Sequence, residues 1–110
     1  MNADTTSPTD VLSALADPTR RALFERLSRE GELSVAVLTE GSGVSQPAVS
    51  KHLAVLGRAG LASARPQGRQ TFYRARPQGL RPLTDWMGVY AVFWDDHLNQ
   101  LQALLERMDP

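Results

Sequence analysis

Few residues in this chain are of types that do chemistry. None of its 110 residues is cysteine, which removes disulfides, thiolate metal sites, thiol redox sensing and cysteine nucleophiles together. Asp, Glu and two histidines, His52 and His97, remain as metal ligands or acid–base groups. Asp85, Asp95 and Asp96 suggest paired carboxylates, but no nucleophile or glycine loop accompanies them, so they read as a solvated helix face. No catalytic residue, metal or cofactor is expected, and the chain reads as a non-enzyme. The run from Ser45 through Gln46, Pro47, Ser50 and Lys51 to His52 is more telling. Short hydroxyl, amide and cationic side chains set this close together suit hydrogen bonds to base edges and phosphates.

Charge supports that chemistry. The formal net charge is zero, yet its distribution is uneven. Residues 1–40 carry −3 and residues 85–110 carry −4, while the stretch between Gly41 and Thr84 has no acid and seven cations: Lys51, Arg58, Arg65, Arg69, Arg74, Arg76 and Arg81. A cationic block flanked by acidic ones is an electrostatic footprint for a polyanion. The longest nearly unbroken apolar run, Met87 to Trp94, is far too short for a membrane span, and the first residues lack the basic and apolar regions of a signal peptide. A cytoplasmic protein with no membrane partner is expected.

The elements that must position these groups follow from cap residues and apolar spacing. Thr9 is expected to cap a first helix carrying Val11, Leu12 and Leu15. Asp17 followed by Pro18 marks a second helix, which runs to about Glu30 and stops at Gly31 with Ala22, Leu23, Phe24 and Leu27 toward a core. Ser34 caps a very short helix ending near Glu40. Ser45 caps another over Gln46–Ala59, with Val49, Leu53, Val55 and Leu56 inside and Gly60 at its end. Leu61–Arg65 and Gln70–Ala75 read as two short strands joined by the turn-forming residues Pro66, Gln67, Gly68 and Arg69. From Leu83 onward, Leu83, Met87, Tyr90, Trp94, His97, Leu101, Leu104 and Met108 alternate at spacings of four and three, flanked by Trp86, Phe93, Leu98 and Leu105. The aromatic cluster Trp86, Tyr90, Phe93 and Trp94 is either dimer core or the lining of an effector pocket.

Two helices joined by a glycine-containing turn, the second opened by a capping serine and followed by a basic hairpin, have the order of a winged helix-turn-helix. The fold class expected is therefore mainly α with a small β-hairpin wing. A helix of about 14 residues is roughly 21 Å long and enters the major groove by its first turn. Gln46 is placed to pair with adenine, Ser45 and Ser50 to bind bases or phosphates, and the Pro47 ring to touch a thymine methyl. Lys51, His52, Arg65, Arg69 and Gln70 complete the expected contacts to double-stranded DNA, with His52 suited to a phosphate or structural hydrogen bond.

The strings ADPTRRALFERLSREGELSVAVL and SQPAVSKHLAVLGRAGLASARPQGRQTFYR resemble the ArsR/SmtB family of bacterial winged-helix repressors, over about residues 10–108. Asp17 and Pro18 before Arg20 and Arg21, the Ser45, Gln46, Ser50, His52, Leu53 series and the Gly60–Leu61 junction fall in order. The resemblance implies a homodimer built from the first and last helices, two recognition helices in successive major grooves, repression of a promoter, and an inducer. Where thiolate sensors of the family carry E-L-C-V-C-D-L, this chain has Glu32, Leu33, Ser34, Val35, Ala36, Val37 and Leu38, which excludes arsenite or soft-metal sensing there. Asp95 and His97 match the first half of a second family site, D-x-H on the last helix, but Met108 stands where a further His belongs. His97 therefore reads as an interface histidine bonded to a carboxylate or a backbone group.

The domain organisation expected is a mobile tail over residues 1–8 and one DNA-binding and dimerisation domain over 9–110. Within it, 9–16 and 80–108 are dimerisation helices, 34–60 the helix-turn-helix and 61–75 the wing. Leu12, Leu15, Leu83, Met87, Tyr90, Trp94, His97, Leu101 and Leu104 are the expected dimer residues. Two other readings stay open: a sensor of an unidentified small molecule or non-thiolate metal that uses the last helix, and a protein-interaction module that has lost DNA binding.

Overall fold

The computed structural model describes residues 6–108. Helix α1 (Pro8–Ala16) is capped by Ser7 and not by Thr9 as expected. Ser7 Oγ accepts the Asp10 N–H at 3.2 Å and Asp10 Oδ2 accepts the Ser7 N–H at 3.1 Å, so the two residues cap each other. Pro8 takes the first helical position, which places Thr9 inside the first turn. Of the tail expected over residues 1–8, residues 1–5 lie outside the described residues, and Ser7 and Pro8 belong to the helix start.

Helix α2 (Pro18–Glu30) is capped by Asp17 and closed by Gly31, whose φ of 86° suits glycine and whose N–H donates to the Leu27 carbonyl at 3.0 Å. A two-residue strand β1 (Leu33–Ser34), which the sequence did not announce, leads into α3 (Val35–Thr39). Ser34 Oγ accepts the Val37 N–H at 3.1 Å and caps this helix. After Gly41–Gly43 comes α4 (Gln46–Arg58), then strands β2 (Ala62–Gln67) and β3 (Gln70–Ala75), a 3₁₀ turn at Pro77–Leu80 and the 28-residue helix α5 (Arg81–Met108).

The sheet is antiparallel in the order β1-β3-β2, with Ser34 beside Phe72 and Phe72 beside Arg65. Gln67 pairs with Gln70, so the hairpin turns on Gly68 and Arg69 alone. Pro66 and Gln67, expected in the turn, belong to β2 instead. Proline is tolerated there because β2 is an edge strand, where an N–H missing from the outer side breaks no ladder bond. Gly68, with φ of 62°, supplies the conformation the two-residue turn needs.

The core is made by one face each of α1 to α4 and by the chain leaving α4. Val11, Leu27, Leu38, Val49, Leu53, Leu56 and Leu61 are fully buried. Ala22, expected among them, is exposed, because its neighbours Leu23 and Phe24 take the inward face of α2. Past the core, the 3₁₀ turn presses its backbone on the end of α4. A Cβ at Gly79 would overlap the Gly60 carbonyl, so only glycine permits that approach. Helix α5 leaves from this seam and packs on α1 near its start, with Leu80 and Leu83 against the core. At ~1.5 Å per residue it is roughly 42 Å long. It has no buried residue.

Candidate nucleic-acid interface

Helix α4 is amphipathic in the sense the reading of bases requires. Val49, Leu53 and Leu56 are buried, which fixes the opposite face outward. On that face Gln46, Pro47, Ser50 and Lys51 are exposed in the first turn and a half. Ser45 is exposed as well, but its Oγ accepts the Ala48 N–H at 3.3 Å, so part of its hydrogen-bonding capacity is committed to capping. His52 is turned elsewhere: it is half-buried, with Nδ1 4.0 Å from Asp17 Oδ2, within ion-pair range when the imidazole is protonated. His52 thus lies between α4 and the start of α2.

The fold brings the hairpin tip back to the start of α4. Gln46, Ser50, Arg69 and Gln70 line one notch of about 150 Å³ together with Ser34 and Val35. Residues about 20 positions apart in sequence thus share one surface. Arg69 and Lys51 are exposed, and neither forms an ion pair among the described residues.

Arg65 differs from them. Its Nη2 lies 2.6 Å from Glu32 Oε1, its Nε donates to Glu32 Oε2 at 3.0 Å, and its Nη1 donates to Gln67 Oε1 at 2.6 Å. The guanidinium lies over the Phe72 ring, 4.9 Å from its centroid. The hydrogen bond from Arg65 holds the Glu32 carboxyl below its ordinary range against partial desolvation, with the charges of Arg65 and Arg74 adding to it. The same bond raises the Arg65 pKa.

Sequence reasoning assigned no role to Arg20, Arg21, Arg26 and Glu32. Arg20 donates from Nε to the Ala14 carbonyl at 2.8 Å and from Nη2 to that of Ser13 at 3.1 Å, and Arg21 donates to the Leu15 carbonyl at 2.8 Å. The paired arginines after Asp17-Pro18 thus satisfy the last carbonyls of α1 while Asp17 Oδ2 accepts the Arg20 N–H at 2.9 Å. Arg26 does likewise for α3, donating to the Val37 and Glu40 carbonyls at 3.2 and 3.0 Å. The signal for Arg20 and Arg21 was their position one turn after a helix end. Nothing local signals Glu32.

The expected dimer residues fall into two groups. Leu15 and Leu83 are half-buried against the chain's own core. Leu12, Met87, Tyr90, Trp94, Leu101 and Leu104 are exposed large hydrophobics. His97 is exposed on the same stripe, its Nδ1 3.1 Å from the Phe93 carbonyl and its ring tilted at 48° to that of Phe93, the centroids 4.3 Å apart. Asp95 and His97, two positions apart, point to different sides of α5, and no group of three potential ligands occurs among the described residues. No helix among the described residues is long and apolar enough to cross a membrane.

A small three-stranded sheet packed on four helices, with a capped helix and a basic hairpin tip sharing one face, defines a winged helix-turn-helix protein. A family model for a helix-turn-helix domain matches residues 15–63. The chain is 41% identical over 102 residues to the arsenical resistance operon repressor of Escherichia coli strain K12, spanning 92% of this chain and 84% of that one. The crystal structure of an ArsR family transcriptional regulator matches with a TM-score of 0.72 at 30% identity, over 79% of this chain and 89% of that one. The solution structure of a homodimeric winged helix-turn-helix DNA-binding domain from Mycobacterium bovis, described as a possible ArsR-family regulator, matches with a TM-score of 0.57 at 27% identity, over 82% of this chain and 80% of that one. The chain belongs to the ArsR family of transcriptional regulators.

Proposed function

We propose that this chain is a homodimeric repressor that binds an inverted-repeat operator, reading bases with α4 and gripping the backbone or an adjacent minor groove with the hairpin. The observation that carries the reading is the shared surface of Gln46, Ser50, Arg69 and Gln70, set in a stretch of chain with no acidic residue. Gln46, Pro47 and Ser50 are the base-reading residues, and Lys51 and Arg69 supply cations for phosphate. Ser45, by capping α4, and Arg65, by pairing with Glu32, serve to hold this surface in shape, and His52 lies beside Asp17 at the start of α2.

Dimerisation through α1 and α5 is part of the same proposal. An exposed apolar stripe along a 28-residue helix is far more than a soluble monomer leaves open. The homodimeric state of the Mycobacterium bovis domain supports it. A two-fold axis between reading helices sets them about 34–36 Å apart, one turn of duplex, which requires half-sites at that spacing. An inducer acting through thiolates is no part of the proposal. At the position of the family's thiolate motif, Ser34 is buried and caps α3. Footprinting on the promoter of the protein's own gene tests the reading: protection of an inverted repeat is expected, and binding with no preference over random duplex refutes it.

A further inference from the structure

Arg65 and Glu32 lie on opposite edges of the sheet. Arg65 belongs to β2, Glu32 directly precedes β1, and β3 runs between them, with Phe72 beside Arg65 on one side and Ser34 on the other. The guanidinium therefore spans the whole sheet over the Phe72 ring to reach the carboxylate. Its remaining nitrogen donates to Gln67, the last residue before the Gly68–Arg69 turn. One continuous strap of hydrogen bonds thus runs from the edge that leads into α3 to the foot of the wing tip. We propose that Glu32 and Arg65 are positioning residues for DNA recognition, a strap that holds Arg69 and Gln70 beside Gln46 and Ser50, with Arg65 making no phosphate contact of its own. The proposal rests on the DNA-binding reading above.

Three observations support a strap over a phosphate contact. First, the fork of Arg65 is already bound in two places. Exchanging a carboxylate for a phosphate oxygen gains no new kind of bond and would leave Glu32 unpaired beside a polyanion. Second, a two-stranded hairpin is weakly held by itself, and β1 contributes only two residues to a third strand. Third, the pairing is a two-pronged one, with Nε and Nη2 of Arg65 each on a Glu32 carboxylate oxygen, and each partner favours the other's charged form. The pair is partly solvent-exposed, so its effect belongs in the geometry of the wing and not in global stability.

The test compares the wild type with Glu32→Ala, Arg65→Ala, Arg65→Lys and the charge-reversed double variant E32R/R65E, titrating operator DNA over a range of salt. Glu32→Ala and Arg65→Ala are each expected to weaken specific binding about tenfold, as when one base contact is misplaced, without changing the salt slope. Arg65→Lys should behave like Arg65→Ala, because an ammonium cannot bridge carboxylate and amide in a planar fork. The charge-reversed pair should recover most of the affinity. Relaxation of the Gly68 and Arg69 amides in the free protein reads the strap without DNA, and greater mobility in Glu32→Ala with an unchanged melting temperature is expected. The proposal is overturned by tighter binding in Glu32→Ala, by a salt slope about 2 units shallower in an Arg65→Ala dimer, which marks lost phosphate contacts, by failure of the charge-reversed pair to recover, or by an unmoved wing. A wild-type protein with no operator preference refutes the DNA-binding reading itself, while the relaxation measurement still decides whether the strap exists.

Discussion

Helices α4 and α5 are built on the same principle and end in opposite situations. Both carry an apolar stripe at helical spacing. In α4 that stripe disappears: Val49, Leu53 and Leu56 are at 0% exposure among residues of α1, α2 and α3. In α5 it stays open, with Trp94 at 62% and Leu101 at 52% exposure and no residue of the helix buried. The difference shows which parts of the molecule one chain completes. The proposed reading surface needs only the chain's own core to aim it, whereas the apolar face of α5 finds no cover in its own chain.

The largest effect is expected from breaking the open stripe. Trp94→Glu puts a charge in the middle of it, and a dimer that has to bury that charge unpaired should not form. The two half-sites are linked, so losing the dimer removes the multiplied affinity and not merely half the contacts. Sedimentation should show a monomer and gel shift should show no specific complex, although Gln46, Ser50 and Arg69 are unchanged. A monomeric variant that still binds the full operator as tightly as the wild type would remove α5 from the mechanism.

Next in size is a pair of leucine truncations that separates the two helices directly. Leu53→Ala leaves a cavity in a closed core and should cost roughly 2–5 kcal/mol of unfolding free energy. Leu101→Ala, on the exposed stripe, should leave the unfolding of dilute monomer nearly unchanged and instead make stability more dependent on protein concentration through weaker association. Urea denaturation at two concentrations a hundredfold apart measures both. Equal losses for the two variants in dilute solution would mean that α5 is packed within its own chain.

This contrast also marks what the sequence made legible. The bounds of α2 and α4 could be read because capping is local: Asp17-Pro18 and Ser45 sit within four residues of the N–H groups they satisfy. The stripe of α5 could be read because a period of three and four repeats over 25 residues. Ser7-Pro8 carries the same signature as Asp17-Pro18, a capping side chain directly before a proline, which Thr9 lacks. Strand β1 was not legible, since two residues have no period. The partners of Arg65 and His52 were not legible for a different reason: Glu32 and Asp17 lie 33 and 35 positions away, and only the folded sheet and the α2–α4 packing bring them together. Thus caps and periodic faces were readable, and pairings between distant residues were not.

A smaller effect, confined to the reading surface, separates its two parts. Gln46→Ala should cost about 1–3 kcal/mol on the preferred operator alone and relax preference at one position of each half-site. Arg69→Ala should weaken binding to most duplexes alike and make the salt dependence shallower, because a phosphate contact releases counterions whatever the sequence. Competition titrations with operator and scrambled duplex distinguish the two outcomes. If both variants lose affinity equally on every duplex, helix and hairpin do not divide the work in this way.

The smallest effect concerns Asp17, at the start of α2 and beside His52 of α4. Asp17 caps α2, and the Arg20 N–H that it accepts is the main reason its carboxyl lies below the ordinary carboxylate range. Partial desolvation opposes this, and the charges of His52 and Arg20 add to the lowering. A carboxyl whose folded value is depressed contributes stability that is present above the unfolded value, about 3.9, and is lost as pH falls through the folded one. The wild-type melting temperature should therefore fall as pH is lowered below about 4, part of that fall being due to Asp17. Asp17→Asn keeps a good capping side chain but has nothing to titrate. It should melt close to the wild type near neutral pH yet decline less steeply under acid, whereas Asp17→Ala should already be destabilised at pH 7. Parallel acid declines in Asp17→Asn and the wild type would show that the charge on Asp17 contributes nothing and that the cap alone joins α2 to the turn before it.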